Sequence, residues 1–569
     1  MKLLQLALSA MAMGTVVLGA PAASRVSVVA PSPEATYIGG TEPGGIEYFK
    51  GIPFAKPPVK DLRLKPPQRL TESLGKHDAT DFGPICPQFV SSTMQGGLDT
   101  LPQQALGKIM NSPLLQANMV GLTQSENCLS LHIYRPAGTK KGDKLPVLFW
   151  IFGGGFELGW SSMYPGEAWI QESVAMKQPI IYVAVSYRVG GFGFLPGKEV
   201  KADGSGNLGL LDQRLGLEWV ADNIESFGGD PDRVTIWGES AGAISVFDQM
   251  ILFDGNNTYN GKPLFHGGIM NSGSAIPVLD IDSGKAQAVY DAVARAGGCD
   301  TSDNSLECLR GLDYSRFLDA TTSVPGLLGY HSLALSYLPR PDGRTLTASP
   351  DVLGKAGKYP DIPVIIGDQE DEGTLFGIFE ANITTKDQVV EYLNDLYFSN
   401  ASRDQLNQLA SAYDNTAEDG SPFRTGIFNN LYPQFKRLSA ILGDLVFTLT
   451  RRVVLQIFSE QNPNSKAWSY LSSYDYGTPI LGTFHGSDLL QVFFGLLPNY
   501  ASRAFKNYYI SFVNHGDPNK GSDTYPNWPE WKENKQLLNM YSGHSKFITD
   551  DFRQEASDFI TDHITDLYF

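Results

Sequence analysis

One pentapeptide constrains this chain more than any other stretch: Gly238-Glu239-Ser240-Ala241-Gly242. It follows the apolar run Val234-Thr235-Ile236-Trp237 and precedes Ala243-Ile244-Ser245-Val246-Phe247, which suits a helix. A strand passing through Gly-x-Ser-x-Gly into a helix has to turn sharply. The positions two before and two after the serine must then lack bulk, a need glycine meets. Such a turn stands the hydroxyl exposed at the end of a sheet, above a helix N-terminus that favours developing negative charge. By itself the motif is a weak signal: with 59 glycines in 569 residues, roughly half a chance match is expected.

The sheet that such a turn needs is legible. At 42% hydrophobic content the chain can bury a large core. Apolar runs at 146–152, 180–185, 234–237 and 363–366 read as buried strands, and 210–223 carries apolar residues at helical spacing. Strands buried on both faces with helices between them predict an α/β fold around a mostly parallel sheet. No internal repeat or low-complexity linker interrupts the chain, so 24–569 reads as a single domain with insertions around 86–128 and 253–345.

The first residues, Met1-Lys2-Leu3-Leu4, lead into an apolar stretch that ends in Gly19-Ala20-Pro21-Ala22-Ala23. This is the pattern of a secretory signal peptide over 1–20, cleaved near 20–23, and it predicts a secreted, extracellular protein. No later run of about 18 apolar residues predicts a membrane span. Four cysteines fit secretion and allow three pairings, of which spacing favours Cys86–Cys128 and Cys299–Cys308. No Cys-x-x-Cys or His-x-x-x-His spacing appears, so no metal site is expected. Asn256, Asn382 and Asn400 open glycosylation sequons, which predict surface loops. A formal net charge of −17 disfavours nucleic acid and other polyanions, while neutral or lipidic substrates remain compatible.

A serine nucleophile needs a base, an orienting acid and donors for an oxyanion. With the acid and then the base expected after the serine, the better histidines are His485, His515, His544 and His563. His485 stands out because an apolar flank, Ile480-Leu481-Gly482-Thr483-Phe484, opens there into a glycine turn. The acid belongs just past a buried strand. Asp368, Glu370, Asp371 and Glu372 all crowd behind the 363–366 run, and their chemistry alone does not choose among them. For the oxyanion, the 146–152 run ends in Gly153-Gly154-Gly155-Phe156, whose backbone a substrate can approach closely. The amide of Ala241, just after the serine, supplies a further donor.

Taken together, these blocks resemble the type-B carboxylesterase/lipase family, close to the secreted fungal sterol esterases and Candida rugosa-type lipases. The resemblance is carried by Gly153-Gly154-Gly155-Phe156-Glu157, Ser125-Glu126-Asn127-Cys128, Asn207-Leu208-Gly209-Leu210-Leu211-Asp212, Gly238-Glu239-Ser240-Ala241-Gly242, Asp371-Glu372-Gly373-Thr374 and Gly482-Thr483-Phe484-His485. It implies the α/β-hydrolase fold, a disulfide-bounded lid over about 87–127, and a cofactor-free serine esterase. It assigns Ser240 as nucleophile, Glu372 as acid and His485 as base. Gly154, Gly155 and Ala241 correspond to the oxyanion donors, and the family disulfides agree with the spacing.

Leu106, Ile109 and Met110 share one face of a short helix predicted within 101–115. As a lid, that segment would cover the site when closed and meet a lipid–water interface when open. Exposed in water, its apolar face would support a homodimer. The expected reaction is hydrolysis of long-chain fatty acyl esters, including sterol esters and triacylglycerols. The alternatives are a carboxylesterase for short soluble esters and, more remotely, a non-catalytic binding module of the same family.

Overall fold

The structure is a computed structural model that describes residues 25–89, 123–413, 416, 418–462, 464–494, 498–521 and 523–569. The signal segment, residues 90–122 of the expected lid and its 101–115 stripe lie outside the described residues.

The chain opens with β1 (Val26–Pro31), β2 (Glu34–Glu42), β3 (Ile46–Pro53), β4 (Gly75–Asp78) and β5 (Ser130–Pro136). The central strands are β6 (Leu145–Ile151), β7 (Ile181–Val185) and β8 (Gly229–Glu239). A small hairpin, β9 (Thr258–Tyr259) and β10 (Lys262–Pro263), stands apart. Then follow β11 (Gly267–Asn271), β12 (Val364–Gln369), β13 (Ala467–Ser472), β14 (Gln536–Met540) and β15 (Ser545–Thr549).

All but β9 and β10 form one sheet in the order β1-β2-β3-β5-β7-β6-β8-β11-β12-β13-β14-β15, with β4 beside β2. The run from β7 to β14 is parallel throughout. Antiparallel strands flank it on both sides. Every residue of β7, β11, β12 and β13 is buried, as parallel strands covered by helices on both faces require. The four apolar runs predicted as strands correspond to β6, β7, β8 and β12, and the helical run to Leu208–Asn223.

One expectation needs correction. Residues 253–345 are not wholly an insertion, because β11 lies inside the sheet between β8 and β12. Its sequence, Gly267-Gly268-Ile269-Met270-Asn271, reads as a loop. Flanking strands, rather than its own propensity, hold it extended. The cysteines pair as Cys86–Cys128 and Cys299–Cys308, with Cα separations of 4.9 and 5.6 Å. Asn256, Asn382 and Asn400 are exposed. Among the described residues no helix is long and apolar enough to cross a membrane.

Beneath the sheet a fully buried cation joins distant segments. Arg451, on the helix Leu449–Gln461, donates to Asp368 at the end of β12 (2.8 Å) and to both carboxylate oxygens of Asp550 (2.7 and 2.8 Å). Removing one partner of such a buried cluster leaves uncompensated charge. Arg451→Met is therefore expected to lower unfolding free energy by about 3–5 kcal/mol in denaturant titrations. A loss within error of zero would show that the cluster is not stabilising.

Candidate active site

The turn after β8 places Ser240 at φ 57° and ψ −127°, a conformation that side-chain-bearing residues rarely adopt. The flanking glycines explain how the chain achieves it. A Cβ on Gly238 would stand 2.2 Å from the Gly242 carbonyl, and one on Gly242 would stand 2.1 Å from the Ile151 oxygen. The turn is thus pressed against the end of β6, where Ile151 pairs with Gly238. Ser240 N–H donates to the Asn271 carbonyl at the end of β11 (2.9 Å), and its own carbonyl accepts from Ile244 in the helix Ala241–Gly255.

Beyond β6 the glycine loop closes over the serine. A Cβ on Gly153 would lie 2.8 Å from Ser240 Cβ. Gly154 and Gly155 have φ of 111° and 62°, which glycine adopts freely. Among the described residues nothing accepts a hydrogen bond from the amides of Gly154, Gly155 or Ala241. All three residues line the same cavity as the serine.

The four carboxylates after β12 separate by environment. Asp368 meets Arg451 in the interior. Glu370 meets Arg424 near the surface (2.7 Å). Asp371 accepts from Phe423 N–H (2.7 Å), Thr483 N–H (2.9 Å) and Ser421 Oγ (3.0 Å), while its own amide donates to the Thr483 carbonyl. It clamps the loop that carries His485. Gly482 is required there, because a Cβ would stand 2.1 Å from Asp371 Oδ2. Glu372 alone reaches the histidine, with Oε2 2.5 Å from His485 Nδ1. Its other oxygen accepts from Gln369 N–H at 2.7 Å.

His485 Nε2 lies 2.8 Å from Ser240 Oγ, so one hydrogen-bonded chain links Glu372, His485 and Ser240 across 245 residues of sequence. The other candidate histidines lie elsewhere. His515 ends the helix Tyr500–His515, His544 stacks on Tyr541 at 4.8 Å, and His563 lies 3.3 Å from Asp566. Phe447 and Phe376 flank the His485 ring at 4.5 and 5.1 Å.

Electrostatics around His485 are set by carboxylates. Burial opposes its protonation, but the charges of Glu372 and Glu239 and the bond to Glu372 outweigh burial and raise its pKa to about 9. Glu239 Oε1 lies 3.5 Å from Nε2, and burial raises that carboxyl to about 8. Burial also lifts Asp488, which accepts from Asn271 Nδ2 (2.9 Å), to about 6. Sequence reasoning assigned no role to Glu239 or Asp488, although Glu239 sits within the defining pentapeptide.

The serine opens into a cavity of about 430 Å³ with a mainly apolar wall. The aromatic side chains Phe376, Phe447 and Phe484 line it. Leu327, Leu333 and Leu338 line it too, from a region that carries no sequence signal. The arrangement can deprotonate a hydroxyl beside the Gly154, Gly155 and Ala241 amides, against a wall suited to hydrocarbon.

The sequence profile of the carboxylesterase family matches residues 36–560. The chain is 57% identical over 547 residues to Secreted lipase 1 of Botryotinia fuckeliana, covering 96% of this chain and 94% of that one. It is 56% identical over 541 residues to Secreted triacylglycerol lipase LIP1 of Gibberella zeae, covering 95% and 90%. The crystal structure of Aspergillus niger EstA superposes with a TM-score of 0.78 at 28% identity, covering 94% of this chain and 98% of that one.

The close approach of Gly242 to β6 makes its own prediction. Gly242→Ala forces backbone apart in a packed region, and the expected cost is about 1–3 kcal/mol. Thermal unfolding measures it. Wild-type stability in that variant would mean that the turn has room this geometry denies.

Proposed function

The chain belongs to the carboxylesterase family, and on that premise we propose a secreted serine esterase that cleaves carboxylic esters of long-chain fatty acids, triacylglycerols and sterol esters among them. The observation that carries this reading is the Glu372–His485–Ser240 hydrogen-bonded chain beside three amides that have no acceptor among the described residues, at the wall of an apolar cavity. The names of the two secreted relatives point the same way on substrate and on secretion. The cavity favours long hydrocarbon chains over short soluble esters, because an apolar wall of that size is filled only by an extended acyl group.

In this mechanism Ser240 Oγ attacks the ester carbonyl carbon while His485 Nε2 takes its proton. Glu372 holds the histidine tautomer through Nδ1 and stabilises the imidazolium. The carbonyl oxygen becomes an oxyanion that accepts from the Gly154, Gly155 and Ala241 amides, and losing one such donor typically costs about 3–4 kcal/mol. Collapse breaks the bond to the alcohol, which leaves with the proton from His485. Water then attacks the acyl-enzyme by the same route and releases the fatty acid. Each step balances with water as the only co-reactant. The lid over 87–127, the self-association its apolar face would support in water, and glycans at Asn256, Asn382 and Asn400 belong to the same proposal.

Two measurements test it. Ser240→Ala is expected to fold and to lose roughly 10⁴-fold or more in kcat on a long-chain ester. A variant that keeps a tenth of wild-type activity sinks the nucleophile assignment. The second test is pH dependence. Only neutral His485 can take the serine proton, so kcat/KM falls as pH falls through its pKa. Since Glu372 and Glu239 raise that pKa, the acid limb lies above the ordinary histidine value of about 6.5. Glu239→Gln removes one of these charges and moves the limb to lower pH. A limb that does not move would separate Glu239 from the proton chemistry.

A further inference from the structure

The helix that begins at Ala241 runs along one wall of the cavity. Ser240, Ala241, Ile244 and Asp248 all line it, an i, i+1, i+4, i+8 stripe on one helix face. At about 1.5 Å per residue, Asp248 lies about 12 Å from Ser240 along that axis.

Asp248 does not match the apolar wall around it. Its side chain is fully buried, and among the described residues neither carboxyl oxygen has a hydrogen-bond partner. Buried polar groups in folded proteins are nearly always paired, and an unpaired one is destabilising. The next residue shows the contrast. Gln249 donates to the Leu210 carbonyl and to Gln213 Oε1, and it accepts from Arg214 Nε. Two acidic side chains among the described residues line the cavity. Glu239 faces His485 at 3.5 Å, whereas Asp248 forms no ion pair among the described residues. Burial holds Asp248 well above the ordinary carboxyl range and so favours its protonated form, which can donate one hydrogen bond and accept another.

Resting on the ester-hydrolase reading of this cavity, we propose that Asp248 determines acyl specificity by pairing with a hydroxyl on the chain, so that esters of mid-chain hydroxylated long-chain fatty acids are preferred over unsubstituted ones. With the acyl carbonyl at Ser240 and the chain extended along the helix face, about 1.25 Å of reach per tetrahedral carbon brings roughly the tenth carbon opposite Asp248. An unsubstituted chain seals the carboxyl against methylene groups and leaves it unpaired. A hydroxyl at that position satisfies it in both directions. Sites built to hydrogen-bond a substrate hydroxyl discriminate against the analogue that lacks it.

The test is a matched pair of p-nitrophenyl esters, 10-hydroxystearate and stearate, in detergent micelles, with p-nitrophenyl butyrate on the wild type. The readout is the ratio of the two long-chain kcat/KM values within each protein, which is independent of the amount of folded enzyme. The wild type is expected to favour the hydroxylated ester roughly tenfold. Asp248→Leu is expected to bring the ratio to one or below. Asp248→Asn, which keeps a donor and an acceptor, retains a preference above one. A wild-type ratio near one, or the same ratio in Asp248→Leu, overturns the role of Asp248 and leaves the ester-hydrolase reading intact. Should Asp248→Leu not fold, the wild-type ratio decides. Cleavage of butyrate with neither stearoyl ester hydrolysed overturns the long-chain reading and the Asp248 assignment with it.

Discussion

Everything in this site depends on the absence of a few atoms. No Cβ fits at Gly242, because the Ile151 carbonyl occupies the space, and none fits at Gly238, because Gly242 does. The strand can therefore reverse into a helix within one residue, at the cost of an unusual backbone conformation at Ser240. The same closeness brings the loop after β6 over the serine, with the amides of Gly154 and Gly155, unpaired among the described residues, beside it. It also sends the helix Ala241–Gly255 along the cavity, so that one helix contributes the Ala241 amide at one end and Asp248 further along. A parallel sheet gathers its loops at the C-terminal ends of its strands, and here β6, β8 and β12 each deliver one component.

The second organising force is how an acidic chain buries some of its carboxyls. The Asp368-to-Glu372 stretch distributes four of them: one to a buried arginine, one to a surface arginine, one to backbone amides and one to a histidine. The third of these has a mechanical role. Asp371 joins the β12 loop to the loop bearing His485, and so fixes the distance between Glu372 and the ring. In the proposed mechanism the buried carboxylates around His485 favour the imidazolium that forms as the serine attacks. Asp248, by contrast, has no cation, amide or hydroxyl to answer it among the described residues, and that isolation is what marks it within the cavity.

What the residues alone determined was local and periodic. The strand cores, the glycine-framed serine and the glycine loop were legible because each rests on short-range rules of period two, period 3.6 and steric room. The family resemblance narrowed four acids to Glu372 and four histidines to His485, and contacts in the fold account for where each alternative resides. What only the tertiary structure decided is whatever requires segments far apart in sequence to meet. β11 is a strand because β8 and β12 hold it, not because Gly267-Gly268-Ile269-Met270-Asn271 favours extension. Glu239, Asp488 and Asp248 carry no signal as residues, since a carboxyl acquires its character from burial and neighbours that periodicity does not encode. The cavity wall from Leu327 to Leu338 is invisible for the same reason: an apolar side chain reads alike whether it faces the core or a substrate, and only its place in the packed molecule tells the two apart.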